Sequence, residues 1–252
     1  MANLHLPHNY IDIIEEEVSK ILEICFIEYP PVDAFLVAEK LNYEIGIDEE
    51  LKTRGYKRRR WGKDEIIVNS PNKSERKHFT IAHEIAEHRL AGHATGGFAG
   101  ADKLTGEDLE KACNAMASSL LMPAQWFEMD AKTHNFDLLE LKKIYSTASH
   151  EAIAYRMLLF SECIISIFDN GKATVRKSSI NNLHLGEHIH PIEVKCFQKV
   201  SDSGEPFTVS GDNVRVQGWP VFKLAKRIGG SASYFGGNDW KRVILRTEMD
   251  TA

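Results

Sequence analysis

The chain has few cysteines and none of the spacings that make cysteines structural. Its four, Cys25, Cys113, Cys163 and Cys196, are widely separated and form no C-x-x-C pair. Neither a disulfide framework nor a zinc ribbon is indicated, and a reducing, cytosolic setting fits. Long apolar runs are also missing. No stretch approaches the roughly 20 residues needed to span a bilayer, and the start lacks the basic and apolar regions of a signal peptide. No G-x-G-x-x-G or G-K-[ST] pattern is present, which excludes a phosphate loop of those types. Positive charge is not in excess. With 31 Lys and Arg against 36 Asp and Glu the net charge is −5, which argues against a surface coated for nucleic acid and leaves room for a local basic patch.

What is present is an ordinary soluble composition: 252 residues, 43% of them hydrophobic. That is enough to bury a core without disulfide or metal staples, in one large or two small domains. Apolar residues recur at helical spacing between Tyr10 and Glu28, namely Ile13, Ile14, Val18, Ile21 and Leu22. Pro30-Pro31 stops that helix. Val32 to Leu41 reads as a second helix and Tyr43 to Ile47 as a strand. Lys52 to Arg60 reads as a solvated loop or edge strand. Its Lys57, Arg58, Arg59 and Arg60 are also candidate contacts to nucleic-acid phosphates, with Trp61 able to stack on a base. Glu65 to Asn69 is a short apolar strand. Ser74 opens a helix running to about Leu90. Ala91 to Gly106 reads as a Gly- and Ala-rich loop. Glu107 to Leu121 is helical and ends at Pro123, and Asp137 to Phe160 holds one or two more helices.

After Ser161 the texture becomes β-rich. Cys163 to Phe168 is a strand, Asn170-Gly171 a hairpin turn, and Ala173 to Arg176 the return strand. Further strand-like runs lie at Ile192 to Val200, Phe207 to Val209, Val214 to Val216, Tyr234-Phe235 and Arg242 to Leu245. The expected fold is α+β: a mostly helical first domain with a short sheet over residues 1–160, then a smaller β-rich domain over residues 161–252.

The chemistry concentrates in His83-Glu84-Ile85-Ala86-Glu87-His88. Each residue of an α-helix advances by about 100°, so His83 and Glu87 lie about 40° apart on one face. A zinc ion needs such convergent donors. Zinc helices of the H-E-x-x-H type use this spacing, and their Glu acts as general base on metal-bound water. Here the second His comes one place late. His83 and His88 are about 140° apart on a regular helix and could share a metal only through a local bulge. A carboxylate is an acceptable zinc ligand, so Glu87 is preferred and His88 is the alternative. The next helix offers Glu110 as a third donor, with Cys113 and Asn114 on the same face. Cys113 reads as a small buried thiol, or as a thiolate that reaches the metal and regulates it. His184, His188 and His190 fall on one face of a strand-like stretch and suggest a polar loop or, less favoured, a second metal site.

Several segments in order extend this pattern. They are Pro31-Val32-Asp33 through Ala38-Glu39-Lys40-Leu41, and Ile66-Ile67-Val68-Asn69 followed by Phe79-Thr80-Ile81-Ala82-His83-Glu84-Ile85. Next come Glu110-Lys111-Ala112-Cys113-Asn114-Ala115-Met116-Ala117 and Leu120-Leu121-Met122-Pro123. Leu138 to Leu158 completes them, with Ser149-His150-Glu151-Ala152. Over about residues 30–160 the chain resembles the ImmA/IrrE family of zinc metallopeptidases. The resemblance implies a zincin-like domain with a helix-turn-helix-like segment at about 137–160, Zn²⁺ as cofactor, His83 as first ligand, Glu84 as general base and Glu110 as last ligand. The family's second His falls on Glu87, and its usual Ala falls on Cys113. The implied function is a cytoplasmic endopeptidase that cleaves a helix-turn-helix repressor in response to stress such as DNA damage. DNA as the activating signal is a further expectation, and no membrane partner is expected. Glu87 in the His position motivates a second reading, a catalytically weakened sensor or repressor-binding module. The β-rich C-terminal segment resembles, in texture alone, the GAF-like sensory domain of IrrE.

Overall fold

The computed structural model describes residues 8–51, 55–60, 62–69, 72–90, 106–181, 183, 185, 189–221 and 241–249. Trp61, Ser70-Pro71, the loop at residues 91–105, His184, His188 and the run Tyr234-Phe235 lie outside the described residues. The chain divides into two compact units, Met1–Ile153 and Ala154–Ala252. Both are mixed α and β, so the protein is α+β. No helix among the described residues is long and apolar enough to cross a membrane.

The first unit holds α1 (His8–Cys25), α2 (Ala34–Lys40), β1 (Glu44–Asp48), β2 (Gly55–Arg60), β3 (Lys63–Asn69), α3 (Ser74–Leu90), α4 (Glu107–Leu121), α5 (Ala124–Thr133) and α6 (Leu138–Ile144). Helix α7 (His150–Met157) runs across the division. In α1 the stripe Ile14, Val18, Ile21, Leu22 and Cys25 is buried, the apolar face of a surface helix. Asp33 starts α2 by accepting from the Phe35 and Leu36 amides at 2.8 and 3.3 Å, and Asp137 starts α6 in the same way. Each satisfies amides that have no partner inside the helix.

Helix α5 is an element the sequence reading does not contain. Its N-cap is Pro123, which makes no side-chain cap. The missing acceptor arrives from α1 instead. Glu15 takes the Ala124 amide on one oxygen at 2.9 Å and the Ser119 hydroxyl on the other at 2.5 Å.

The first sheet has strand order β1-β3-β2. β3 is central, parallel to β1 and antiparallel to β2, and its Ile66, Ile67 and Val68 are buried. A Cβ at Gly55 would collide with the Thr80 side chain of α3. That collision puts α3 against one face of the sheet, close to β2. Helices α3 and α4 pack on one another, with Ile81, Ile85, Ala112, Met116 and Leu120 all buried.

The second unit holds β4 (Ile164–Asp169), β5 (Lys172–Ser178), α8 (Pro191–Ser203), β6 (Phe207–Gly211), β7 (Val214–Pro220) and β8 (Arg242–Met249). Its sheet is antiparallel throughout, in the order β5-β4-β8-β7-β6. Asn170 and Gly171 both have positive φ, 48° and 82°, the backbone a two-residue hairpin turn requires. Helix α8 lies on one face over Phe168, Val216, Val243 and Leu245, contributing Cys196 and Val200. It approaches closely enough that a Cβ on Gly218 would sit 2.8 Å from the Cys196 sulfur.

Helix α8 corrects the expected strand at Ile192 to Val200. The β-branched residues there suggest a strand, but Ile192, Cys196 and Val200 are spaced by four and share one helix face. Pro191 occupies the first turn. The His190 ring accepts from the Ile192 amide, and Glu193 reaches back to the His190 amide, a reciprocal cap. Gly204 closes the helix at φ 67°. His190 is therefore the start of a helix and not part of a histidine-bearing strand.

Candidate active site

The sequence places His83, Glu84 and Glu87 on the second half of α3, whose inner positions Ile81, Ala82, Ile85 and Ala86 are buried. Glu84 is buried as well, at 8% exposure, whereas Glu87 is exposed and His83 half-buried. Helix α4 brings Glu110 to this surface. Its Oε2 lies 3.6 Å from His83 Nε2, and its Oε1 accepts from the Asn114 side-chain amide at 3.1 Å. Asn114 thus turns one oxygen of Glu110 aside and leaves the other facing the imidazole. Two ligands of a tetrahedral zinc, each about 2.0–2.1 Å from it, stand roughly 3.4 Å apart. The His83 to Glu110 gap is close to that span.

One imidazole with two carboxylates is a donor set zinc accepts, and in chemistry the residues present fit. Among the described residues no three His, Cys, Asp or Glu side chains are gathered closely enough to hold an ion. His83 and Glu110 meet. Glu87 shares the His83 face of α3 with an exposed, rotatable carboxylate. His88 is engaged on the sheet side. Its Nδ1 bonds the Tyr43 hydroxyl, its Nε2 lies 3.9 Å from Asp64, and its ring meets the Tyr43 ring edge-on with centroids 5.6 Å apart. The sequence reading missed Tyr43 and Asp64, because nothing local ties either to a histidine 45 or 24 positions away.

Burial raises the pKa of Glu84, and the carboxylates of Glu87 and Glu110 add to the effect. His83 and Lys57 oppose it. The Cys113 thiol, buried on the inner side of α4, is pushed up to about 12, first by burial and then by Glu87, Glu110 and Glu84. A thiolate there needs a cation to offset those three carboxylates. The basic cluster Lys57 to Arg60 forms β2. Arg58 is tied to Glu65 at 2.6 Å, while Lys57 lies within electrostatic reach of Glu84.

The base of α3 is fixed by polar ties. His78 Nδ1 accepts from the Ala34 amide at 3.2 Å, and the ring packs edge-on against Phe35 with centroids 5.1 Å apart. Lys142 donates to Glu75 at 3.1 Å and to the Ser146 and Ala148 carbonyls, both at 2.7 Å. Burial lowers the His78 pKa below its ordinary 6.5. Lys142 adds to this, while Asp33 and Glu75 pull it back. The unfolded chain therefore binds the proton first as the medium acidifies. Stability is complete above 6.5 and falls as pH drops below it toward the folded value. Urea midpoints at pH 7.5 and 5.5 should fall more for the natural chain than for His78→Asn, and equal falls would refute this role.

Three comparisons place these residues among known proteins. Residues 41–158 match the family model described as an IrrE N-terminal-like domain, a peptidase family. No curated protein matches the chain. Among solved structures, a Mycobacterium tuberculosis transcriptional regulator superposes with a TM-score of 0.62, covering 95% of this chain and 81% of its own at 13% identity. That identity supports a shared fold and nothing finer. The family match spans β2, β3, α3, α4 and every residue of the site, and it names the family the sequence motifs suggest. Residues 41–158 of this chain match the model of the ImmA/IrrE peptidase family.

Proposed function

We propose that this protein is a zinc-dependent endopeptidase that cleaves a helix-turn-helix transcriptional repressor under stress such as DNA damage. The observation that carries the reading is the facing pair His83 Nε2 and Glu110 Oε2, 3.6 Å apart beside the buried Glu84. The peptidase family and a similar structure that is itself a transcriptional regulator support it. In this reading the first unit is zincin-like, and His83, Glu87 and Glu110 hold the ion. The second unit is a sensory domain of GAF-like kind, and DNA is a candidate signal. The setting is cytoplasmic, consistent with four free, buried cysteines.

Zinc, when bound, supplies a water of lowered pKa and polarises the scissile carbonyl. The chain's own residues do the rest. Glu84 takes the proton of the attacking water on its carboxylate and returns it to the departing amine. Its burial keeps bulk water from competing for that proton. Asn114 holds the Glu110 carboxylate in one orientation, and Lys57 favours the ionised Glu84.

Glu87 in place of a second imidazole favours one other reading, a non-catalytic sensor or repressor-binding module. Zinc titration of the purified chain separates the two. The endopeptidase reading expects one zinc per chain. His83→Ala and Glu110→Ala should weaken binding beyond the roughly 10–100-fold that losing a ligand's outer hydrogen-bond partner costs, and Asn114→Ala should fall within that range. A chain that binds a repressor and takes up no zinc would select the module instead.

A further inference from the structure

Helix α1 closes with two backbone bonds, from the Phe26 amide to the Glu23 carbonyl at 3.1 Å and from the Ile27 amide to the Leu22 carbonyl at 2.9 Å. This is a Schellman closure. It puts Phe26 at the left-handed position, φ 56°, where glycine is the usual residue. A bulky side chain there strains the backbone. Burial does not offset that strain, since Phe26 is 86% exposed. Ile24 and Tyr29, close to it in the chain, are 53% and 75% exposed. The Cys25 thiol donates to the Val37 carbonyl at 4.0 Å, which holds α2 against this corner and sets the exposed Leu36 beside it. We propose that the corner of Ile24, Phe26, Tyr29 and Leu36 is a docking surface for a basic amphipathic segment of a partner protein.

Charge selects this occupant. From Ile21 to Glu39 the chain carries four carboxylates, Glu23, Glu28, Asp33 and Glu39, and no Lys or Arg. All four are exposed. The flanking cations are Lys20, paired with Glu16 at 2.7 Å, and Lys40 at the end of α2. Apolar anchors among carboxylates suit a segment whose own apolar side chains are flanked by Lys or Arg, because charges around a contact decide which partners are accepted. The same charges work against other occupants. An anionic membrane or a nucleic acid meets like charge. A second copy docking by this face does so about a two-fold axis, which sets four carboxylates against four. The surface uses none of His83, Glu84, Glu87 and Glu110, so the inference stands whether or not that site cleaves peptides.

The test is binding, measured by fluorescence anisotropy with the full chain and labelled peptides made of repeated Leu-Lys-Lys-Leu, Leu-Glu-Glu-Leu or Ser-Lys-Lys-Ser. The first should bind at least about tenfold more tightly than either of the others, because apolar anchors and charge are both needed. Phe26→Gly should remove most of that binding and leave the urea midpoint unchanged or higher, since glycine suits the left-handed position. Tyr29→Ser should weaken binding too, whereas Met129→Ser, at an exposed apolar residue of α5, should not. Glu23→Lys combined with Glu28→Lys should abolish the preference for the Lys peptide over the Glu peptide. Equal binding by the Leu and Ser peptides, or binding indifferent to Phe26→Gly and Tyr29→Ser, would overturn the docking surface. A lower urea midpoint in Phe26→Gly would make the ring a structural part and overturn it as well. Phe26-dependent binding to phosphatidylserine vesicles in place of the peptide would overturn the assignment to a basic protein segment. So would a concentration-dependent dimer in sedimentation that Phe26→Gly abolishes.

Discussion

Glu84→Gln is expected to slow peptide cleavage by about 10²–10⁴-fold, the usual worth of a positioned general base, with zinc affinity nearly unchanged. The substitution preserves the size of the side chain and removes only its capacity to take a proton. The site is built for that distinction. Glu84 is at 8% exposure on the inner flank of α3, whereas Glu87 and Glu110 stand at the surface where an ion can be reached. Burial together with two neighbouring carboxylates holds its pKa up, the direction that strengthens a carboxylate as a base. Cleavage of a repressor by the natural chain and by Glu84→Gln, compared at saturating zinc, is the measurement. Equal rates would remove Glu84 from the mechanism. A fall in zinc affinity as large as that in His83→Ala would make it a ligand instead.

The second large effect lies in the other unit. Glu193 is almost wholly buried under α8. One of its oxygens accepts from Ser166 at 3.1 Å and Thr247 at 3.0 Å, and the other from Arg176 at 2.7 Å and the His190 amide at 3.1 Å. Four donors on one carboxylate satisfy it completely and join β4, β5 and β8 to the helix. Glu193→Ala leaves a mostly buried guanidinium without its counter-charge, which typically costs about 3–5 kcal/mol. Urea unfolding, with hydrogen exchange at the β8 amides to localise the change, should show a loss of that size. A loss below about 1 kcal/mol, the range of exposed pairs, would mean that Arg176 finds another partner at little cost.

Much of the first unit can be read directly from the sequence, because its signals are local. The α1 stripe and the four-residue step from His83 to Glu87 lie within a turn or two of what they specify, as do Asp33 and Asp137, whose capping role the structure adds. The β2 cluster reads as loop or strand, and its pairing with β3 settles the matter. Helix α8 fails differently. Its caps, His190 with Glu193 and Gly204, are legible in the sequence, but the β-branched Ile192, Val194 and Val200 outweigh them when composition alone is scored. Helix α5 carries no such cap, since Pro123 offers no acceptor. In the site, His83 and Glu110 come together through α3–α4 packing that the family pattern anticipates. The Tyr43 and Asp64 engagement of His88 depends on sheet register, which no local pattern encodes.

The Glu15 carboxylate has a consequence for how this protein can be cut down. The family domain begins at residue 41, and Glu15 sits well before it on α1. Yet it is Glu15 that holds the Ala124 amide and the Ser119 hydroxyl at the corner between α4 and α5. A fragment trimmed to the family boundary would carry every proposed ligand and still lack the acceptor that caps the start of α5. It would also expose the faces of α4 that α1 covers. The smallest useful piece of this protein therefore starts ahead of its recognisable domain, and α1 is a working part of the scaffold that carries the candidate site.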